Sequence, residues 1–185
     1  MLRSADNYIE KRTTDILSVI EPFLSKKYKI LDIGSGTGHT AQKLINLGYK
    51  KVSCVDYTDM NTCLETKPVI YDGKKLPFTD NSFDTALMIT VLHHTPKPEL
   101  IVKEARRVAK RLVIMEDTYK NIFQQYATYL MDSIGNMEFR GHPHTNQTDK
   151  GWRKLFKKLG LKIVAVKKHK FLWFFESTTY CVEKN

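Results

Sequence analysis

Apolar residues Ile9, Ile16, Leu17, Ile20 and Leu24 recur at helical spacing between Tyr8 and Leu24, which predicts an amphipathic N-terminal helix. The next apolar run, Tyr28 to Ile33, is short, rich in strand-forming residues and closed by glycines, so it reads as a buried strand. Ala41, Leu44 and Ile45 then mark a helix that stops at Gly48, a residue type favoured just past a helix end. Strands are predicted at 52–55, 69–71 and 83–92, followed by a helix over 98–109 with Pro98 near its start, where a missing N–H costs nothing. A strand at 112–115, a helical pattern from Tyr119 to Ile134, a helix marked by Trp152, Leu155, Phe156 and Leu159, and strands at 161–166 and 178–182 complete the chain.

Strands alternating with helices at these lengths argue for β-α units and an α/β sheet covered on both faces. Such sheets bind ligands beyond the carboxyl ends of their strands, so the loops after each strand are where chemistry is expected. No repeat, linker or low-complexity segment interrupts the pattern, and 185 residues read as one domain. The expected subdivision is an N-terminal helix (1–25), a ligand-binding half (26–117), a substrate cap (118–149) and a C-terminal helix and hairpin (150–185).

The strongest local signal is YKILDIGSGTGH, in which Gly34, Gly36 and Gly38 join the first strand to the next helix. Alternating glycines let the backbone turn tightly and admit a ligand where a Cβ would intrude. The dinucleotide fingerprint GxGxxG would need a further glycine at position 39, which is His39, and this disfavours a nucleotide-dependent oxidoreductase. Asp56 ends the next strand, where a carboxylate can accept from both hydroxyls of a ribose. Asp72, followed by Gly73, stands after the third strand.

LDIGSGTG, CVDYTD, YDGKKLPFTDNSFD and ALMITVLHH, in this order and spacing, resemble the class I S-adenosylmethionine-dependent methyltransferases, in particular the type 11 group, over about residues 29–116. The resemblance implies a doubly wound, mostly parallel seven-stranded sheet with the last strand antiparallel, and S-adenosyl-L-methionine as cofactor. It further implies that Asp32, Gly34, Gly36 and Gly38 surround the methionine part of that cofactor. Asp56 would hold the ribose, Tyr57 would lie beside the adenine, Asp72 with Gly73 would face the adenine amino group, and Thr90 would lie near the methyl. Tyr8 and Arg12 of the first helix would cover the ligand. One departure stands out: where the group commonly has a Gly-Gly turn before the fifth strand, this chain reads RRVAKRLVIMED, so a shorter turn is expected.

A methyl donor that carries its own leaving group needs alignment more than a catalytic residue, and a base only when the acceptor is protonated. Bases stand at the expected rim: His93 and His94, Glu116 and Asp117, and His142 and His144, of which His94, His142 and His144 are the leading catalytic candidates. No metal is expected, since the GHPH segment offers only two ligands. Aromatics between Tyr119 and Phe139 suit either cap packing or an apolar acceptor pocket.

Charge adds one distinction. The net +10 is concentrated at the end, where residues 151–185 carry nine basic and two acidic side chains while residues 1–100 are nearly neutral. A small-molecule acceptor is the first expectation. The alternatives are an RNA methyltransferase that uses the basic residues between 150 and 170, a catalytically inactive cofactor-binding module, or contact with an anionic membrane surface. Three cysteines without a CxxC pair, no signal-peptide pattern and no transmembrane run suggest a cytoplasmic protein.

Overall fold

The computed structural model describes residues 2–63, 65–119, 124, 145–171 and 175–185. Helix α1 (Leu2–Ile20) leads into strand β1 (Ile30–Ile33), helix α2 (His39–Asn46), strands β2 (Val52–Asp56), β3 (Val69–Ile70) and β4 (Phe83–Ile89), and helix α3 (Pro98–Val108). Strand β5 (Ala109–Thr118), helix α4 (Asp149–Lys158) and the hairpin β6 (Leu161–Phe171) and β7 (Phe175–Lys184) follow. The helix expected between Tyr119 and Ile134 lies almost entirely outside the described residues, as do His142 and His144.

All seven strands form one sheet in the order β3-β2-β1-β4-β5-β7-β6. β1 to β5 are parallel, and β7 runs antiparallel to both β5 and β6. β1 pairs with β2 on one side and β4 on the other, so the chain reverses its winding there and leaves a crevice above the carboxyl end of β1.

Alternation along the central strands builds two cores. Ala86, Met88, Leu112 and Ile114 face α3 and α4, where they pack with Val102, Ala105, Trp152, Phe156 and Tyr180. Leu87, Val113 and Met115 point the other way, towards Leu17, Ile20 and Leu44 of α1 and α2. Burial on both faces explains why these strands read as nearly continuous apolar runs.

The expected short turn before β5 is shorter still: α3 ends at Val108 and Ala109 is already extended. Arg107 secures this direct passage. Its guanidinium donates to the carbonyls of Leu76 (2.9 Å) and Phe78 (2.7 Å) and to the carboxylates of Glu104 and Asp80. Several predicted bounds shift in the same region. β4 stops at Ile89 because a 3-10 turn, Leu92–His94, takes over, and β5 to β7 run beyond their apolar segments because pairing with one another carries polar residues along.

Candidate functional site

The loop after β1 is shaped by the three glycines, each with positive φ. Gly34 lies against Val91 of the post-β4 turn so closely that a Cβ would meet Val91 Cγ2 at 2.6 Å. Gly36 differs: nothing lies within 4 Å of where its Cβ would be, so this face of the backbone is open.

Asp56, at the end of β2, binds that loop. Its Oδ2 accepts the Gly36 N–H at 2.8 Å and its Oδ1 accepts the N–H of Tyr57 at 2.6 Å and of Thr58 at 3.4 Å. Tyr57 itself is 68% exposed. Tyr71 N–H donates to the Asp56 carbonyl, which brings Asp72 and Gly73 beside the same strand end. Asp72 is exposed and accepts the N–H of Lys74 and Lys75, contacts that hold its carboxyl below the usual range.

Asp32 is the buried member of the group, with 2% of its surface accessible on β1. Burial first, and the neighbouring Asp56 charge second, raise its pKa to about 7, and among the described residues no hydrogen-bond donor offsets them. A carboxylate enclosed in this way suits a cationic or donor group brought by a ligand.

Above β4, Thr90 takes a left-handed conformation with φ of 55°. For a β-branched residue that conformation costs roughly 1–3 kcal/mol and needs support from its surroundings. The support comes from β5. Thr90 N–H donates to the Met115 carbonyl at 2.8 Å, and Glu116 Oε1 accepts the next two N–H groups, Val91 at 3.0 Å and Leu92 at 2.7 Å. Glu116 Oε2 meets His93 Nδ1 at 2.6 Å.

This arrangement corrects the rim of candidate bases. Glu116 is 0% and His93 2% exposed, and both oxygens of Glu116 are engaged, so the pair holds the turn and does not face an acceptor. His94, partly exposed, sets its ring against that of His93 at a tilt of 39°, with centroids 4.2 Å apart, and remains a described candidate. Residues Tyr8 and Arg12 are exposed on α1, whereas Ile9 and Thr13 of that helix turn towards α2. Among the described residues, no group of three or more His, Cys, Asp or Glu side chains could hold a metal ion.

The clamping role of Glu116 was not apparent in the sequence; its only signal there was a carboxylate ending an apolar strand, in RLVIMED. A pair between His39 and Cys63, 24 residues apart, gave no signal at all.

Cavities open on both sides of the sheet among the described residues. One, of about 390 Å³, lies at the amino ends of the parallel strands between Tyr28, Asp84 and Arg111, opposite the loops just described. A second, of about 330 Å³, opens between α1 and α2 next to the glycine loop. The C-terminal basic residues are partly neutralised within the chain: Arg153 and Lys168 share Asp149, and Lys168 also reaches Glu176 at 3.0 Å.

Known proteins resemble this chain in sequence and in fold. Residues 31–114 match the family described as a methyltransferase domain. The chain is 27% identical over 172 residues to a demethylmenaquinone methyltransferase of Paenarthrobacter aurescens, covering 75% of this chain and 68% of that protein. A ubiquinone/menaquinone biosynthesis C-methyltransferase of Rhizobium rhizogenes is 26% identical over 123 residues, 55% of this chain and 46% of its own. The chain thus spans about two thirds of one relative and about half of the other. Among solved structures, a complex of the Haloferax volcanii Trm112 methyltransferase activator with a methyltransferase matches at a TM-score of 0.74 and 14% identity, covering 98% of this chain and 96% of that one. Residues 31–114 thus match a methyltransferase domain, and the fold is the one that solved methyltransferase structures share.

Proposed function

We propose that this chain transfers a methyl group from S-adenosyl-L-methionine to a small-molecule acceptor by in-line displacement. The observation that carries this reading is the convergence of the open Gly36 face, the Asp56 carboxylate bound to it and the buried Asp32 at the crevice above the carboxyl end of β1. The residues present fit the cofactor: a backbone face without a Cβ for close approach, an enclosed carboxylate for an ammonium, and an exposed aromatic ring at Tyr57 for a base.

When bound, S-adenosyl-L-methionine supplies a methyl group on a sulfonium whose thioether departs. The task of the chain is to bind and orient. Asp32, Gly34, Gly36 and Gly38 would hold the methionine part, Asp56 the ribose, and Tyr57, Asp72 and Gly73 the adenine, with Thr90 close to the methyl. His94, His142 and His144 are the candidates to remove a proton from an acceptor that carries one. Residues 118–149 would cap the acceptor. The names of the quinone-methylating relatives and the internal pairing of Arg153 and Lys168 support a small, uncharged acceptor over a polyanion. Among the described residues no helix is long and apolar enough to cross a membrane.

Calorimetry with S-adenosyl-L-methionine and with NAD tests the cofactor, and a methyl-transfer screen over phenols, amines, thiols, quinols and tRNA tests the acceptor. Saturable binding of S-adenosyl-L-methionine alone is expected. Binding of NAD in its place would overturn the reading.

A further inference from the structure

His39 and Cys63 form a pair that the cofactor site does not use. His39 opens α2, Cys63 lies on the segment after β2, and His39 Nδ1 and Cys63 Sγ stand 2.9 Å apart. Neither is fully buried, and both line the cavity of about 330 Å³ whose other walls include Thr13, Gln42 and Lys43. The remaining thiols, Cys54 and Cys181, are buried. Burial, the largest cause in each case, pushes Cys54 up to about 12 and raises Cys181 as well. One thiol of three therefore has both a base in contact and space for a reagent.

The segment that carries Cys63 is packed on the glycine loop. Thr62 donates to the Thr37 carbonyl through both its N–H (3.1 Å) and its Oγ1 (3.2 Å). The Asn61 side chain donates to the Cys63 carbonyl and accepts from Thr66 Oγ1 at 2.9 Å. Together Asn61 and Thr66 crowd Gly38 so closely that a Cβ there would collide with both.

We propose that Cys63, with His39 as its proton acceptor, is a thiol-modification site that exchanges with small disulfides and, when modified, loosens the glycine loop. In the exchange His39 accepts the Sγ proton and Sγ attacks one sulfur of the disulfide. A new S–S bond forms to Cys63, the original S–S bond breaks, and the departing thiolate recovers the proton. Cys63 is oxidised and one half of the reagent is reduced to a thiol, so no further oxidant is involved. The added group occupies the cavity and presses on Asn61, Thr62 and Thr66, which Gly38 and Thr37 give no room to retreat. This second half rests on the cofactor reading of the loop.

Oxidised glutathione and peptide mass mapping of the intact, reduced protein test the site. One mixed disulfide per chain is expected, on Cys63, forming at least tenfold faster than in a peptide of the same local sequence. His39→Gln should slow it tenfold or more, and Cys63→Ser should abolish it while leaving the melting transition in place. Equal rates in protein and peptide, no effect of His39→Gln, or earlier labelling of Cys54 or Cys181 would overturn the site. Calorimetry of the glutathionylated protein should then show S-adenosyl-L-methionine bound at least tenfold more weakly, reversed by dithiothreitol; unchanged affinity would overturn the coupling to the loop. If reduced protein binds no S-adenosyl-L-methionine while Cys63 labels as expected, the cofactor reading fails and the thiol site stands.

Discussion

Glu116 Oε2 lies 2.6 Å from His93 Nδ1, with neither side chain open to solvent, while its other oxygen holds the N–H groups of Val91 and Leu92. The pair joins the end of β5 to the turn after β4, and through Val91 to Gly34. Replacing Glu116 removes the acceptor of two backbone N–H groups and a buried partner of His93, and each buried polar group that loses its partner costs about 1–3 kcal/mol. Glu116→Ala is therefore expected to lower stability by at least that much in urea unfolding. Glu116→Gln, which keeps one acceptor for the two N–H groups, should cost less than half as much, and equal losses would show that the N–H contacts carry little.

Asp32 makes stability depend on pH in a defined direction. Its folded pKa of about 7 exceeds the 3.8 of an ordinary aspartate, so the folded protein retains a proton that the unfolded chain has released. This stabilisation is fully present below about pH 4 and is lost as pH rises towards 7. The shift corresponds to roughly 4 kcal/mol across that window. Urea titrations of the ligand-free protein between pH 4.5 and 7.5 should show the decline, and Asp32→Asn should flatten it. A wild-type profile as flat as that of the variant would contradict the buried, unsatisfied carboxylate.

Asp56 and Gly36 separate binding from folding. Asp56→Ala removes charge-assisted acceptors and should weaken S-adenosyl-L-methionine binding by about 1.5–3 kcal/mol. Gly36→Ala places a methyl in open space, so its stability loss should stay near the roughly 1–2 kcal/mol strain of a left-handed residue while cofactor binding falls steeply. Gly34→Ala, which must displace Val91, should lose more stability than Gly36→Ala. Parallel melting and calorimetry on the three variants checks the order.

Arg107 tests the direct passage from α3 into β5. Lysine at this position cannot reproduce the fork that reaches two carbonyls and two carboxylates at once. Arg107→Lys is expected to cost about 1–2 kcal/mol, read by thermal unfolding, with S-adenosyl-L-methionine affinity unchanged. A loss of affinity would mean that the α3–β5 junction also shapes the site.

The order of helices and strands, the glycine loop and the carboxylates at strand ends were all legible along the chain, because period, turn chemistry and local motif are properties of neighbouring residues. LDIGSGTG, Asp56 and Asp72 needed no coordinates to be singled out, and the missing glycines before β5 announced the tight passage that Arg107 secures. Sheet order and side-chain partnership were different matters. Tertiary structure alone decided that Glu116 is buried and spent on Val91, Leu92 and His93, that Gly36 faces open space while Gly34 is packed, and that His39 meets Cys63. The physical reason is range: burial and hydrogen bonding between residues 20 or more positions apart arise only when parallel strands bring their loops to one edge. Composition placed the positive charge near the C-terminus; only folding determined that Arg153 and Lys168 are paired there with Asp149 and Glu176.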